Sequence, residues 1–209
     1  MKHFVGFLDI LGTKDMVARG QFSDLHALDF SGAVVVAAAK FSKARFAVFS
    51  DCIVFSLPTD HLLDLPALLS TLFENWISDG MLVRGGLAVG EIRWVDYEID
   101  HEFAQLKNLS FARVYGQALS EAVEIEKSSG PGALVFASDE ATELLVQAIP
   151  DGGLRLSSNV LRWFKWENLD AWIGTMDIYL EHSESSQAKR HIQATRRSLT
   201  LFREQKPNE

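Results

Sequence analysis

Residues 4–12 read Phe4-Val5-Gly6-Phe7-Leu8-Asp9-Ile10-Leu11-Gly12, an apolar strand-like run that carries one carboxylate and stops at a glycine. A second run has the same character: Phe46-Ala47-Val48-Phe49-Ser50-Asp51-Cys52-Ile53-Val54-Phe55. A carboxylate among such side chains is costly to bury unless something pairs with it. Two of them brought close repel, so one or both resist ionising. A divalent cation between Asp9 and Asp51 relieves both costs and suits phosphate chemistry.

The rest of the composition limits the options. The chain has 209 residues, 47% of them hydrophobic, enough for one domain with a full core. Its formal charge of −8 argues against nucleic acid as a partner, although a local basic site still allows a nucleotide. The single cysteine, Cys52, excludes an intrachain disulfide and fits a reducing cytoplasm. Asp9 and Gly12 interrupt the first apolar stretch, so it does not read as a signal peptide. The apolar stretch from Gly32 to Ala39 is too short to cross a membrane. The histidines show no close metal-ligand spacing, which disfavours zinc.

Around the two aspartates the periodicity alternates between strand and helix. Residues 3–10 read as a strand. The alanine- and valine-rich run ending at Ala39 reads as a buried helix, and residues 45–57 as a hairpin with Ser50-Asp51 between its arms. Leu62 to Ile77 has helical apolar spacing. Leu82 to Ile92 reads as a strand in which Gly85-Gly86 admits a close neighbour to the backbone. A helix is expected over 117–128, then a short strand from Ala133 to Ala137 and a helix capped by Ser138. Trp163–Trp166 and Trp172–Met176 read as late strands, and Ser183 to Phe202 as a basic helix. This order suggests an α+β sandwich with helices against one sheet. The expected division is a catalytic domain over 1–180, with 181–209 as a C-terminal basic helix packed on or extending it.

Four segments together resemble class III nucleotidyl cyclases. Phe7-Leu8-Asp9-Ile10-Leu11-Gly12-Thr13 is similar to that family's first metal-binding segment, and Ser50-Asp51-Cys52-Ile53-Val54 to its second. Val83-Arg84-Gly85-Gly86-Leu87-Ala88-Val89-Gly90 resembles its strand with a basic residue before Gly-x-x-x-Gly. Val114-Tyr115-Gly116 with the helix through Glu126 resembles its dimer-wing helix. The likeness spans residues 4 to 145. It implies a ferredoxin-like α+β domain, a central mostly antiparallel sheet with flanking helices. It also implies two divalent ions, Mn2+ or Mg2+, held by Asp9, Asp51 and the Ile10 carbonyl. The turn Ile10, Leu11, Gly12 and Thr13 would cradle phosphate, and Arg84 would offer a fork of donors to the β- and γ-phosphates. The likeness further implies a homodimer, with the metal aspartates on one subunit and the wing residues on the other.

Two departures from the purine cyclases bear on the base. Ser120 and Glu124 stand where those enzymes carry an asparagine and a transition-state arginine, and a glutamate cannot replace that arginine's electrostatics. Arg84, Arg113, Lys127 and Lys165 are the candidate substitutes. The base-reading positions hold Ala47 and Arg113, neither the adenine nor the guanine pair. Arginine only donates, which suits the carbonyl oxygens of a pyrimidine ring. These departures resemble the pyrimidine cyclases of the bacterial Pycsar antiphage system. That likeness implies UTP conversion to cyclic UMP, or CTP to cyclic CMP, in the cytoplasm, with a separate effector reading the product. Two other readings stay open: an inactive cyclase-like nucleotide-binding or interaction module, and a polymerase-like palm. Taken singly, Asp9 also fits a strand-end cap and Asp51 a turn residue. Arg84 also fits a strand-edge charge, Ser120 a packed small residue, Glu121, Glu124 and Glu126 surface acids or dimer contacts, and Lys165 a solvated lysine.

Overall fold

The computed structural model describes residues 1–95, 113–149 and 159–205. Its centre is a six-stranded sheet in the order β2-β3-β1-β4-β7-β8. The strands are β1 (His3–Ile10), β2 (Arg45–Val48), β3 (Cys52–Pro58), β4 (Val83–Gly90), β7 (Val135–Ala137) and β8 (Val160–Leu161). All neighbours are antiparallel except β4 and β7. A separate ribbon pairs β5 (Arg93–Trp94) with β6 (Val114–Tyr115). The helices are α1 (Thr13–Ala18), α2 (Asp24–Lys40), α3 (Leu65–Ser78), α4 (Gln117–Ser128), α5 (Asp139–Ala148), α6 (Leu169–His182) and α7 (Ser186–Glu204). The β1-α-β2-β3-α3-β4 order, with β1 between β3 and β4, is the split βαβ plan expected of a ferredoxin-like α+β domain.

Alternation along β1 sorts the layers. Phe4, Leu8 and Ile10 enter the larger core with Ile53, Phe55, Leu57, Val83, Leu87 and Val89. There Phe30 of α2 and Leu72, Phe73 and Trp76 of α3 close over them. The Trp76 indole donates to the Phe30 carbonyl at 2.9 Å, so its buried N–H is satisfied. The opposite face carries Val5 and Val54 and is covered by Ala118 of α4 with Ile92 and Trp94. Asp9 belongs to this second face.

Most elements match the periodicity, with three differences. Residues 172–176 lie in α6, not in a strand. Trp172, Ile173 and Met176 fit one helical face as well as a short strand, and five residues do not separate the two periods. Residues 163–165 are not in a strand, with a bend at Phe164, and Trp166 opens a 3-10 turn; the pairing strand is Val160–Leu161, just before them. In addition, α2 is not buried all round: Phe30, Ala33, Val34 and Ala37 face the core while Val35 and Val36 are exposed. The basic α7 sends Ile192, Leu199 and Phe202 into the main core. Its Arg196 and Arg203 pair with Asp177 and Asp170 of α6, so α6 neutralises part of its charge. Among the described residues no helix is long and apolar enough to cross a membrane.

Candidate active site

The β2–β3 hairpin brings the two aspartates together. The Phe49 N–H donates to the Cys52 carbonyl at 2.8 Å, which leaves Ser50-Asp51 as the tip. One rung further, the Ile10 N–H donates to the Asp51 carbonyl at 2.9 Å and ties that tip to the end of β1. Asp9 itself lies opposite Cys52 on β3 and opposite Arg84 on β4. Among the described residues, Asp9, Asp51 and Cys52 form a group whose ligand atoms all lie within 4.8 Å of one another. The Ser50 hydroxyl donates to Asp51 Oδ1 at 2.9 Å and fixes that carboxylate.

This clustering has an electrostatic consequence. Burial, then the charges of Glu126 and Asp51, push the Asp9 carboxyl up to about 7, with Arg84 opposing weakly. Burial and the same carboxylates push the Cys52 thiol up to about 11. A half-buried carboxylate that resists ionising beside a second carboxylate is a donor set suited to a divalent cation.

The turn after Asp9 is pinned on both sides. The Leu11 N–H donates to the Leu82 carbonyl at 2.8 Å, and the Thr13 hydroxyl donates to the Ile10 carbonyl at 3.1 Å. A carbonyl oxygen has two lone pairs, so Ile10 keeps one acceptor position. Gly12 has φ 85° and caps α1, a conformation that costs glycine little.

Arg84 takes a direction that the sequence does not announce. Its Nε donates to Glu126 Oε1 at 2.8 Å, its Nη2 bonds the same oxygen, and its Nη1 donates to the Gly130 carbonyl at 3.4 Å. The fork expected to face phosphate is therefore engaged with α4. Glu126 is buried rather than on the surface. The signal was present: Ala118, Ala122 and Glu126 recur every fourth residue, and the two alanines mark the face turned to the sheet. Glycine explains how close that face comes. A Cβ on Gly86, the next residue on the Arg84 side of β4, would lie 1.9 Å from the Ala122 carbonyl oxygen and 2.8 Å from the Glu126 nitrogen.

The other expected residues are spread more widely. Ala47 is half-buried on β2, opposite Val54 and on the same face as Asp9, one strand beyond β3. Ser120 and Glu124 occupy the exposed side of α4, turned away from the sheet that carries Asp9. The Glu124 carboxylate lies 3.9 Å from Lys127 Nζ. Arg113 is exposed just before β6, and its carbonyl accepts from the Val95 N–H at 3.0 Å. Lys165 follows β8, at the sheet edge separated from β1 by β4 and β7, and its N–H donates to Glu74 Oε1 at 3.1 Å. Within one chain, the structure brings Asp9, Asp51, Ile10 and the turn together and leaves Ser120 and Lys165 apart from them.

No family model matches this sequence, and no curated protein matches it either. Solved structures do match in shape. A bacterial light-regulated adenylyl cyclase aligns with a TM-score of 0.53 at 10% identity, over 69% of this chain and 44% of that one. This chain thus spans less than half of that protein's length. The adenylyl cyclase CyaB from P. aeruginosa aligns with a TM-score of 0.51 at 15% identity, covering 71% and 81% of the two chains. The guanylate cyclase domain of RhGC from Catenaria anguillulae, solved in complex with GTP, aligns with a TM-score of 0.52 at 16% identity, covering 69% and 81%. At such identities the likeness is one of fold: the chain has the fold of adenylyl and guanylyl cyclase domains.

Proposed function

We propose that the chain is a pyrimidine nucleotide cyclase, acting as a homodimer and converting UTP to 3′,5′-cyclic UMP and diphosphate. The observation that carries this reading is the convergence of Asp9 and Asp51 at the end of β1 and the tip of the β2–β3 hairpin. The cyclase-like fold supports it. In the proposed reaction the 3′-oxygen bonds to the α-phosphorus, the bond from that phosphorus to the β-phosphate bridge breaks, and the 3′-hydroxyl proton passes to solvent. Asp9, Asp51 and the Ile10 carbonyl would hold two divalent ions, Mn2+ or Mg2+. When bound, such ions acidify the hydroxyl and neutralise the departing diphosphate.

The chain's own groups do the rest. Gly12 lets the turn approach phosphate, and Asp9 and Asp51 fix the position of the positive charge. Arg84 would contribute from its bonds to Glu126 and Gly130, and the ions held by Asp9 and Asp51 would supply positive charge for the phosphates. Ser120, Arg113 and Lys165 would act on the neighbouring subunit's substrate, as the split site of the resembled family implies. The pyrimidine preference rests on Ala47 and Arg113, and the antiphage role on the sequence resemblance.

Incubation with each of the four nucleoside triphosphates and Mn2+ tests the proposal. Cyclic UMP is expected as the main product, with cyclic CMP as the alternative. No cyclic product from any triphosphate would indicate a binding module, which the exposed Glu124 would then explain. A linear product would indicate a polymerase-like palm. The shared site has its own test. An Asp51→Ala chain mixed with a Ser120→Trp chain is expected to show activity that neither shows alone. Failure of the mixture to recover any would place each complete site within one chain.

A further inference from the structure

We propose that Glu126 is a positioning residue: it holds the Arg84 guanidinium against α4 and thereby keeps it off Asp9, leaving that carboxylate open to a cation. The inference rests on the metal-site reading of Asp9 and Asp51 and adds a residue to it.

Asp9 and Arg84 are direct partners in the β1–β4 register. Residues opposite each other share one face, with Cβ atoms about 4.5–5.5 Å apart, and opposite charges so placed attract. An arginine can close that distance and form a two-pronged bond to a carboxylate. Such a bond would fill the coordination side of Asp9 with a fixed cation and compete with any metal. In the structure the guanidinium instead bonds Glu126 and the Gly130 carbonyl.

Glu126 has three advantages over Asp9 in this competition. Its side chain is 5% exposed, so its attraction to Arg84 is little screened. A single oxygen, Oε1, accepts from both Nε and Nη2. The Gly130 carbonyl, in the turn that follows the same helix, occupies Nη1. Position reinforces charge: Gly86 lets the α4 backbone at Ala122 and Glu126 settle directly on β4, beside Arg84. The turn is held in addition from α7, where His191 Nδ1 accepts the Gly132 N–H at 3.1 Å and the Thr195 hydroxyl accepts the Ala133 N–H at 2.7 Å. Asp9 is thus left grouped with Asp51 and Cys52 while the Arg84 fork is bonded to Glu126.

Mn2+ affinity without nucleotide, measured by calorimetry on the full chain, tests this. Glu126→Gln keeps the shape but removes the charge that holds Arg84. Its Mn2+ affinity is expected to fall at least about tenfold, a change of about 1.4 kcal/mol. The double variant Arg84→Gln/Glu126→Gln is expected to return to within about threefold of wild type. Removing both partners would also relieve a purely structural loss, so Arg84→Gln alone separates the two roles: a structural role loses Mn2+ affinity in it, and the positioning role does not. Unchanged affinity in Glu126→Gln overturns the inference, and so does a double variant that stays weak. If Glu126→Gln does not fold, Arg84→Gln alone decides. It is expected to bind Mn2+ as tightly as wild type or tighter, and a tenfold loss overturns the inference. A wild-type chain that binds no Mn2+ overturns the metal-site reading itself, and this inference with it. Wild-type binding that Glu126→Gln leaves intact overturns the inference alone.

Discussion

An Asp9→Asn chain is expected to lose cyclisation while folding at least as stably as wild type in metal-free buffer at neutral pH. Loss of one preorganised electrostatic group costs on the order of 10²- to 10³-fold in rate, and a lost metal ligand should cost at least that. The stability half follows from the raised Asp9 carboxyl. Burial is the main cause, followed by the charges of Glu126 and Asp51, and together they lift it to about 7. In the unfolded chain an aspartate titrates near about 3.9. Between these values the folded protein binds the extra proton, so stability falls as pH rises through this window. The contribution is fully present below about 4 and gone above about 7. Asparagine cannot ionise and escapes this loss. Melting curves with EDTA should show wild type and variant converging near pH 4, with the variant gaining relative to wild type toward pH 7. Added Mn2+ should reverse the order, because the ion stabilises only the chain that binds it. A variant that melts well below wild type at pH 7 without metal would refute the electrostatic account of this site. Full cyclase activity in the variant would refute the metal assignment.

The same residues show which parts of the site were readable without coordinates. Asp9 and Asp51 stood out because acidic groups in apolar strands have few inexpensive explanations. The Ser50-Asp51 tip followed from the two flanking runs, although no glycine marks the turn. Glycine density in β4 announced a close approach, and α4 makes it at Gly86. The destination of Arg84 was less accessible. An arginine in a strand reaches several directions, and its choice depends on which face of a later helix meets the sheet. That face was encoded by Ala118 and Ala122, but a glutamate four residues on reads as a surface acid until the helix is docked. The placement of Lys165 depended on strand order. Nothing local to Phe164-Lys165-Trp166 places β8 at the edge, with β4 and β7 between it and Asp9.

A single methyl group at Gly86 is expected to destabilise the protein more than one at Gly85, although the two are neighbours in a buried strand. An alanine Cβ at Gly85 would come within 2.2 Å of Leu8 Cδ2, the end of a side chain with other rotamers. At Gly86 the same atom would meet the Ala122 carbonyl oxygen at 1.9 Å, its carbon at 2.9 Å and the Glu126 nitrogen at 2.8 Å. These are backbone atoms in the middle of a helix and can retreat only if α4 lifts as a body. Overpacking of a core costs about 1–3 kcal/mol. Gly85→Ala belongs near the lower end and Gly86→Ala at or beyond the upper. Urea unfolding should show this as a larger drop in midpoint for Gly86→Ala at unchanged slope. The effect should also extend to the metal site. Lifting α4 carries Glu126 away from Arg84, and the freed guanidinium then has Asp9 as its nearest carboxylate on the sheet. Gly86→Ala should therefore weaken Mn2+ binding as Glu126→Gln does, without altering any charge. Equal stability losses at the two glycines would mean that α4 does not owe its seat to the missing side chain. A destabilised Gly86→Ala chain with wild-type Mn2+ affinity would separate the packing of α4 from the state of Asp9.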